Sequence, residues 1–196
     1  MLTAQKSTRF GSQILVIICL LLSGWMVSAG GAKSVGEYQV KAVFLYNFTK
    51  FVNWPTNADT STNTPFVIGI VGEDPFGTTL DDAVRGEQMQ NRPIVIRRFR
   101  SDEAIGNCQV LFIARSEKDR LGEVLEQMKG RATLIVADTV RAAEHGCMIN
   151  LLLAQGSVKM EINQSLVEAA GLQVSSKLLS LARIVNTEAP KPAPNP

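Results

Sequence analysis

The chain predicts an α/β fold: a mostly parallel sheet of about five to six strands, helices on both faces, and an antiparallel hairpin at one edge. Three observations predict it. Four short apolar runs, at residues 66–71, 93–99, 110–114 and 132–137, alternate with segments that carry helix start and stop signals. Two more runs, at 148–153 and 157–162, flank Gln155-Gly156 as a hairpin does. At 196 residues and 45% hydrophobic content, the chain has enough apolar matter for one core.

The elements follow in order. Lys6 and Arg9 precede an apolar run at 14–22, and small residues including Val27-Ser28-Ala29 come next. A charged start, an apolar stretch too short to span a membrane and a small-residue cleavage site make a secretory signal peptide. Cleavage is expected after Ala29, with Ala32 the alternative. The expected organisation is a cleaved signal peptide at 1–29, a single α/β domain at 30–187 and a disordered Pro-rich tail at 188–196. Such a protein is exported, and not membrane-embedded after cleavage. The formal charge of +2 belongs to the leader, because without Lys6 and Arg9 the chain holds 18 bases and 18 acids. That balance argues against nucleic acid as a partner. Arg92, Arg97, Arg98 and Arg100 cluster around one strand, but Asp102 and Glu103 follow at once and give a solvated mixed-charge face.

Residues 37–54 read as a helix that Pro55 ends, since proline lacks an N–H and disfavours α conformation at Trp54. Six of the chain's twelve aromatics fall here, more apolar surface than one ordinary surface helix needs to bury. The helix is either sunk in its own domain or leaves a strip for a partner. The sheet that follows makes Phe44, Phe48, Phe51 and Val52 core. Tyr38, Lys41, Tyr46 and Trp54 are left for contact with a second copy or a membrane partner.

A polar loop at 56–64 leads to the first strand, whose continuous apolar run reads as buried on both faces. Gly72 to Gly77 form its turn, and Thr78 or Thr79 caps a helix through Val84. After the second and third strands, Ser116 is the expected cap of a helix that stops at Gly130. A short helix at 139–145 follows the fourth strand. In the strand at 157–162, Lys159 and Glu161 alternate with apolar residues and give an edge strand one wet face. Asn163 caps a helix to Gly171, and residues 172–185 read as a final amphipathic helix.

Few residues of the chain point to chemistry. Glu73 and Asp74 lie at the carboxyl end of the first strand, where open α/β sheets place ligands. They are a tight turn or a small-ligand edge, without the glycine spacing of a dinucleotide site or the lysine of a phosphate loop. A phospho-receiver reading fails, because Ala114-Arg115 and Ala154 stand where it needs an aspartate and a lysine. His145 is the single histidine and lies two residues before Cys147. A hydrolase would need that pair oriented by a third group, and a zinc site would need more ligands than cluster here. No catalytic residue, metal or cofactor is expected. Cys108 and Cys147 both precede strands, at one end of the sheet. With a strand between them they stand roughly 9–10 Å apart, and a disulfide forms only if the loops lean together.

Several stretches together resemble one family. They are Tyr38-Gln39-Val40-Lys41-Ala42-Val43-Phe44-Leu45-Tyr46-Asn47-Phe48 with Phe51-Val52-Asn53-Trp54-Pro55, Gly72-Glu73-Asp74-Pro75-Phe76-Gly77, and Cys108-Gln109-Val110-Leu111-Phe112-Ile113. Ile68-Gly69-Ile70, Ser116-Glu117, Gly146-Cys147-Met148-Ile149-Asn150, Met160-Glu161-Ile162-Asn163, and Ala170-Gly171-Leu172 with Ser175-Ser176-Lys177-Leu178-Leu179 complete the set. In chain order they are similar to the periplasmic repressors of the YfiR type. The resemblance implies a non-catalytic regulator that binds the periplasmic domain of an inner-membrane diguanylate cyclase and represses it, so controlling cyclic di-GMP and biofilm formation. A homodimer is expected. The resemblance also implies that disulfides can keep the fold competent, although Cys147 stands where the family commonly has glycine. Two faces are expected to meet the partner: Lys159 and Glu161 beside the helix carrying Val167 and Glu168, and the uncovered aromatics Tyr38, Tyr46 and Trp54. The alternative is a periplasmic small-ligand sensor working at the Glu73–Asp74 edge.

Overall fold

The computed structural model describes residues 31–55 and 64–185, with side chains from Gly36 onward. The leader at 1–29, nearly all of the loop at 56–64 and the tail at 188–196 lie outside these residues.

Helix α1 spans Gly31–Phe51. It ends earlier than Trp54 because Val52–Asn53 forms a short strand, β1, antiparallel to β9 at Gln173–Val174. Its buried face runs through Lys41, Ala42, Leu45, Phe48 and Thr49, the spacing of one helical stripe. Phe44 and Phe51 are only half-buried, while Val40 and Val43 are 45% and 53% exposed. The buried stripe is therefore rotated from the one the aromatics indicate, because it admits a lysine whose charge is answered from within.

Eight strands make the main sheet, in the order β10-β8-β7-β6-β5-β2-β4-β3. Phe66–Val71 is β2, Gln88–Met89 β3, Arg92–Phe99 β4 and Val110–Ile113 β5. Leu134–Ala137 is β6, Ile149–Ala154 β7, Ser157–Ile162 β8 and Arg183–Ile184 β10. Pairing is parallel except for β3 with β4 and β7 with β8. Every residue of β2, β5 and β6 is buried, as continuous apolar runs require. The fold class is as expected. The strand count is higher, because β3 and β10 are two-residue edge strands with too few residues to show a pattern.

Thr78–Val84 forms α2 where expected, but neither threonine caps it: the N-cap is Gly77, with no side-chain capping hydrogen bond. Residues Arg115–Arg120 form a 3-10 turn that runs into α3 at Leu121–Met128, and Gly130 follows with φ +75°. Asn163 caps α4 at Gln164–Ala169 by accepting from the Leu166 N–H at 3.3 Å. Two expected helices are replaced. Residues 139–146 are a run of turns and not a helix. Residues 172–185 are β9, then the one-turn helix α5 at Ser176–Leu179, then β10. In that segment the backbone is claimed by distant partners: Ser175 N–H donates to Phe51 O and Val185 N–H to Ile162 O.

Candidate functional site

Strand β2 pairs with β4 on one side and β5 on the other, so the sheet changes its direction of growth at β2. The carboxyl ends of β2 and β5 form the switch point at which open α/β sheets take ligands. Here the crevice is filled by the protein's own groups. Gly72, at φ +92°, lies so close to the next loop that a Cβ on it would meet Ser116 Oγ at 2.5 Å and Glu117 Cγ at 2.7 Å. Ser116 Oγ accepts from the Glu73 N–H at 2.9 Å, which is why it caps no helix. Glu117 is buried and accepts from Ser101 Oγ at 2.5 Å. Asp74 accepts from the Phe76 N–H at 2.8 Å and from Arg98 Nε at 2.7 Å. Arg98 also grips Asp81, and that hydrogen bond holds the Asp81 carboxyl below its usual range. Asp74 is thus a structural part of its turn, and Glu73 is exposed beside it.

Beside this crevice the carboxyl end of β6 meets α1 in a buried charge cluster. Lys41 has no exposed side-chain surface. Its Nζ lies 2.5 Å from Glu37 Oε1, one helical turn earlier, and 3.0 Å from Asp138 Oδ2, directly after β6. Tyr38 Oη donates to Asp138 Oδ2 at 2.6 Å, and Arg115 approaches the two carboxylates at 3.6 and 3.5 Å. Burial first, then the hydrogen bond to Asp138, raises the Tyr38 hydroxyl above its ordinary pKa. Two cations answer two carboxylates, so the cluster is neutral as a whole. Glu37 Oε1 meets Lys41 as an ion pair without hydrogen-bonding alignment, and Asp138 Oδ1 and Thr139 Oγ1 have no hydrogen-bond partner among the described residues. The arrangement pins α1 to the sheet at residues 37–41. Sequence reasoning missed it, although a lysine inside an apolar stripe, four residues after a glutamate, was the available signal.

The two thiols are equally closed. Cys147 and Cys108 are buried, and both thiols are free. The bond that leaning loops would have allowed is not formed, because β6 separates the two strands they precede. Burial pushes both thiols up to about 12; for Cys108 this outweighs the opposing pull of Arg131 and Arg97. A thiol held protonated at neutral pH is a poor nucleophile, and exposed His145 sits on the adjacent run of turns. Among the described residues no three His, Cys, Asp or Glu side chains are placed to hold a metal.

The two expected partner faces are partly internal. Glu161 is buried, accepts from Asn150 Nδ2 at 3.1 Å and pairs with Arg183, because β10 lies outside β8. The wet edge expected of β8 is covered there. Val167 is buried too, at 1% exposure, and only Lys159 and Glu168 of that group face solvent. Tyr46 donates to Glu87 with the Lys50 ammonium 4.1 Å above its ring. Trp54 is half-buried, packs edge-on to Phe66 at 5.0 Å and donates to Gln109 O at 3.3 Å.

A model of the YfiR/HmsC-like family matches residues 38–183, from the buried cluster on α1 to the edge strand β10. The chain belongs to that family. YfiR/HmsC-like proteins are regulatory and periplasmic. No helix of the described residues in this YfiR/HmsC-like chain is long and apolar enough to cross a membrane. Among solved structures, the chain is similar to the ABC domain in complex with L-Trp from Streptococcus pneumonia, at 9% identity and a TM-score of 0.45. That match covers 61% of this chain, and the chain spans 55% of that one.

Proposed function

We propose that this YfiR/HmsC-like chain is a non-catalytic regulator that binds the periplasmic domain of an inner-membrane diguanylate cyclase and holds it inactive. Cyclic di-GMP, and with it biofilm formation, then stays low while the regulator is bound. The family match over residues 38–183 carries this reading. The state of the side chains supports it: Asp74 and Lys41 serve internal contacts, and both thiols are buried. What a partner can reach is surface. We assign the contact to the exposed valines of α1, Val40 and Val43, with Lys159 and Glu168 as polar contributors. Paired exposed valines one helical turn apart are the kind of apolar strip that associations cover. The leader at 1–29 delivers the chain to the periplasm in this reading, and the working form is a homodimer.

Deleting the gene should raise cellular cyclic di-GMP, and restoring the chain should lower it again. A Val43→Asp chain, exported at normal abundance, should fail to restore it and fail to capture the cyclase from solubilised inner membranes. Unchanged cyclic di-GMP in the deletion strain, with a cyclase partner expressed, would count against the proposal.

A further inference from the structure

Among the described residues, Arg92, Arg97 and Arg131 are the arginines that make no ion pair; every other described arginine has a carboxylate partner. All three line one cleft of about 440 Å³, formed by the segments that precede β2, β5 and β6 together with β4. Among the described residues no carboxylate lines it. The volume falls within the range of small-molecule sites.

The three guanidinium groups are held differently. Arg92 is 5% exposed, and donates through Nε to Thr64 O at 2.7 Å and through Nη2 to Pro65 O at 2.8 Å. Arg131 donates from Nη1 to Ile105 O at 3.0 Å, which leaves Nε and Nη2 uncommitted. The Arg97 guanidinium lies 5.2 Å from the Phe99 ring and makes no hydrogen bond among the described residues. Both Arg97 and Arg131 are near enough to Cys108 to act on its thiol. Gln109 accepts from the Val67 N–H at 2.7 Å through Oε1, so its amide NH₂ remains a donor. Three like charges around one concavity repel each other, and the low-dielectric walls concentrate their field. Guanidinium forks with free donors match the oxygens of phosphoryl and carboxylate groups.

We propose that this cleft binds a small oxyanion, a molecule carrying a phosphoryl group or several carboxylates, seated by Arg97 and Arg131 with Arg92 as the buried positive base. The site lies at the amino ends of the parallel strands, away from the Glu73–Asp74 edge. It does not rest on the cyclase reading, and either can fail without the other.

The test is calorimetric titration of the full exported chain with inorganic phosphate and, separately, with citrate, at fixed ionic strength in chloride. One-to-one saturation by either supports the site, and which anion saturates it tells a phosphoryl ligand from a carboxylate one. Arg97→Ala and Arg131→Ala, both at exposed positions, should each weaken binding by about tenfold or more, the loss of one charge-assisted contact. Arg97→Lys should recover part of that loss, because it keeps the charge and loses the fork. Arg85→Ala, which removes an exposed arginine outside the cleft, should change nothing. Failure of both anions to saturate by about 10 mM, weaker than a specific site would be, would overturn the proposal. So would an equal loss in Arg85→Ala and Arg97→Ala, which would mean diffuse attraction to surface charge.

Discussion

Lys41 is the residue on which the α1 contact with the sheet turns. It is buried without exposed side-chain surface between Glu37 and Asp138. Removing one partner of a buried ion pair is costly because the other charge stays behind without compensation. Lys41→Ala should therefore lower the unfolding free energy by about 3 kcal/mol, measured by chemical denaturation. Arg115, at 56% side-chain exposure, is too well solvated to replace it. The double variant Lys41→Met with Asp138→Asn should recover most of that loss, because it removes the unpaired carboxylate. The arginines near β4 show the same rule from the other side. A mixed-charge face describes Arg98 and Arg100, which pair with nearby aspartates. It fails for Arg92 and Arg97, because alternation along the strand and the end of the sheet carry them away from those acids.

At the scale of elements, local signals decided where chain segments begin. Asn163 caps α4 from its side-chain oxygen and donates from Nδ2 to Ala143 O at 3.1 Å, which ties α4 to the turns before β7. Asn163→Ala should destabilise the protein by about 1–2 kcal/mol, read as a lowered melting temperature, since a cap and a buried hydrogen bond go together. Glutamine there should not restore it, because the longer side chain misplaces the capping oxygen. The segment at 172–185 shows the limit of such signals. Its periodicity suits a helix, yet two residues bond to β1 and two to β8. Strand pairing across long separations outweighs a weak local helix preference, which is worth only tenths of a kcal/mol per residue.

Across the whole molecule one core joins the inner face of α1, the sheet strands, Cys108 and Cys147. Both thiols therefore share the fate of the fold. Their pKa values lie near 12 in the folded chain against an ordinary 9, so the folded state keeps protons that the unfolded state releases. Stability contributed in this way is complete below pH 9 and is lost as pH rises from about 9 towards 12. The melting temperature should fall across that window, and less steeply in Cys147→Ala. Alkylation at neutral pH without reductant should mark both cysteines in a single step that coincides with global unfolding. Labelling of either thiol in the folded protein would contradict this.

The sequence by itself determined the α/β class, the central strands β2, β5 and β6, the β7–β8 hairpin and the Asn163 cap. Each is written in short-range patterns, as continuous apolar runs, turn residues or a capping side chain. Only the tertiary structure decided that Lys41 is interior, that β10 covers Glu161, and that Arg92, Arg97 and Arg131 share a cleft where no described carboxylate lies. Those three facts depend on contacts between residues far apart in the chain. A charged side chain reads as exposed until the fold supplies its partner, or withholds one.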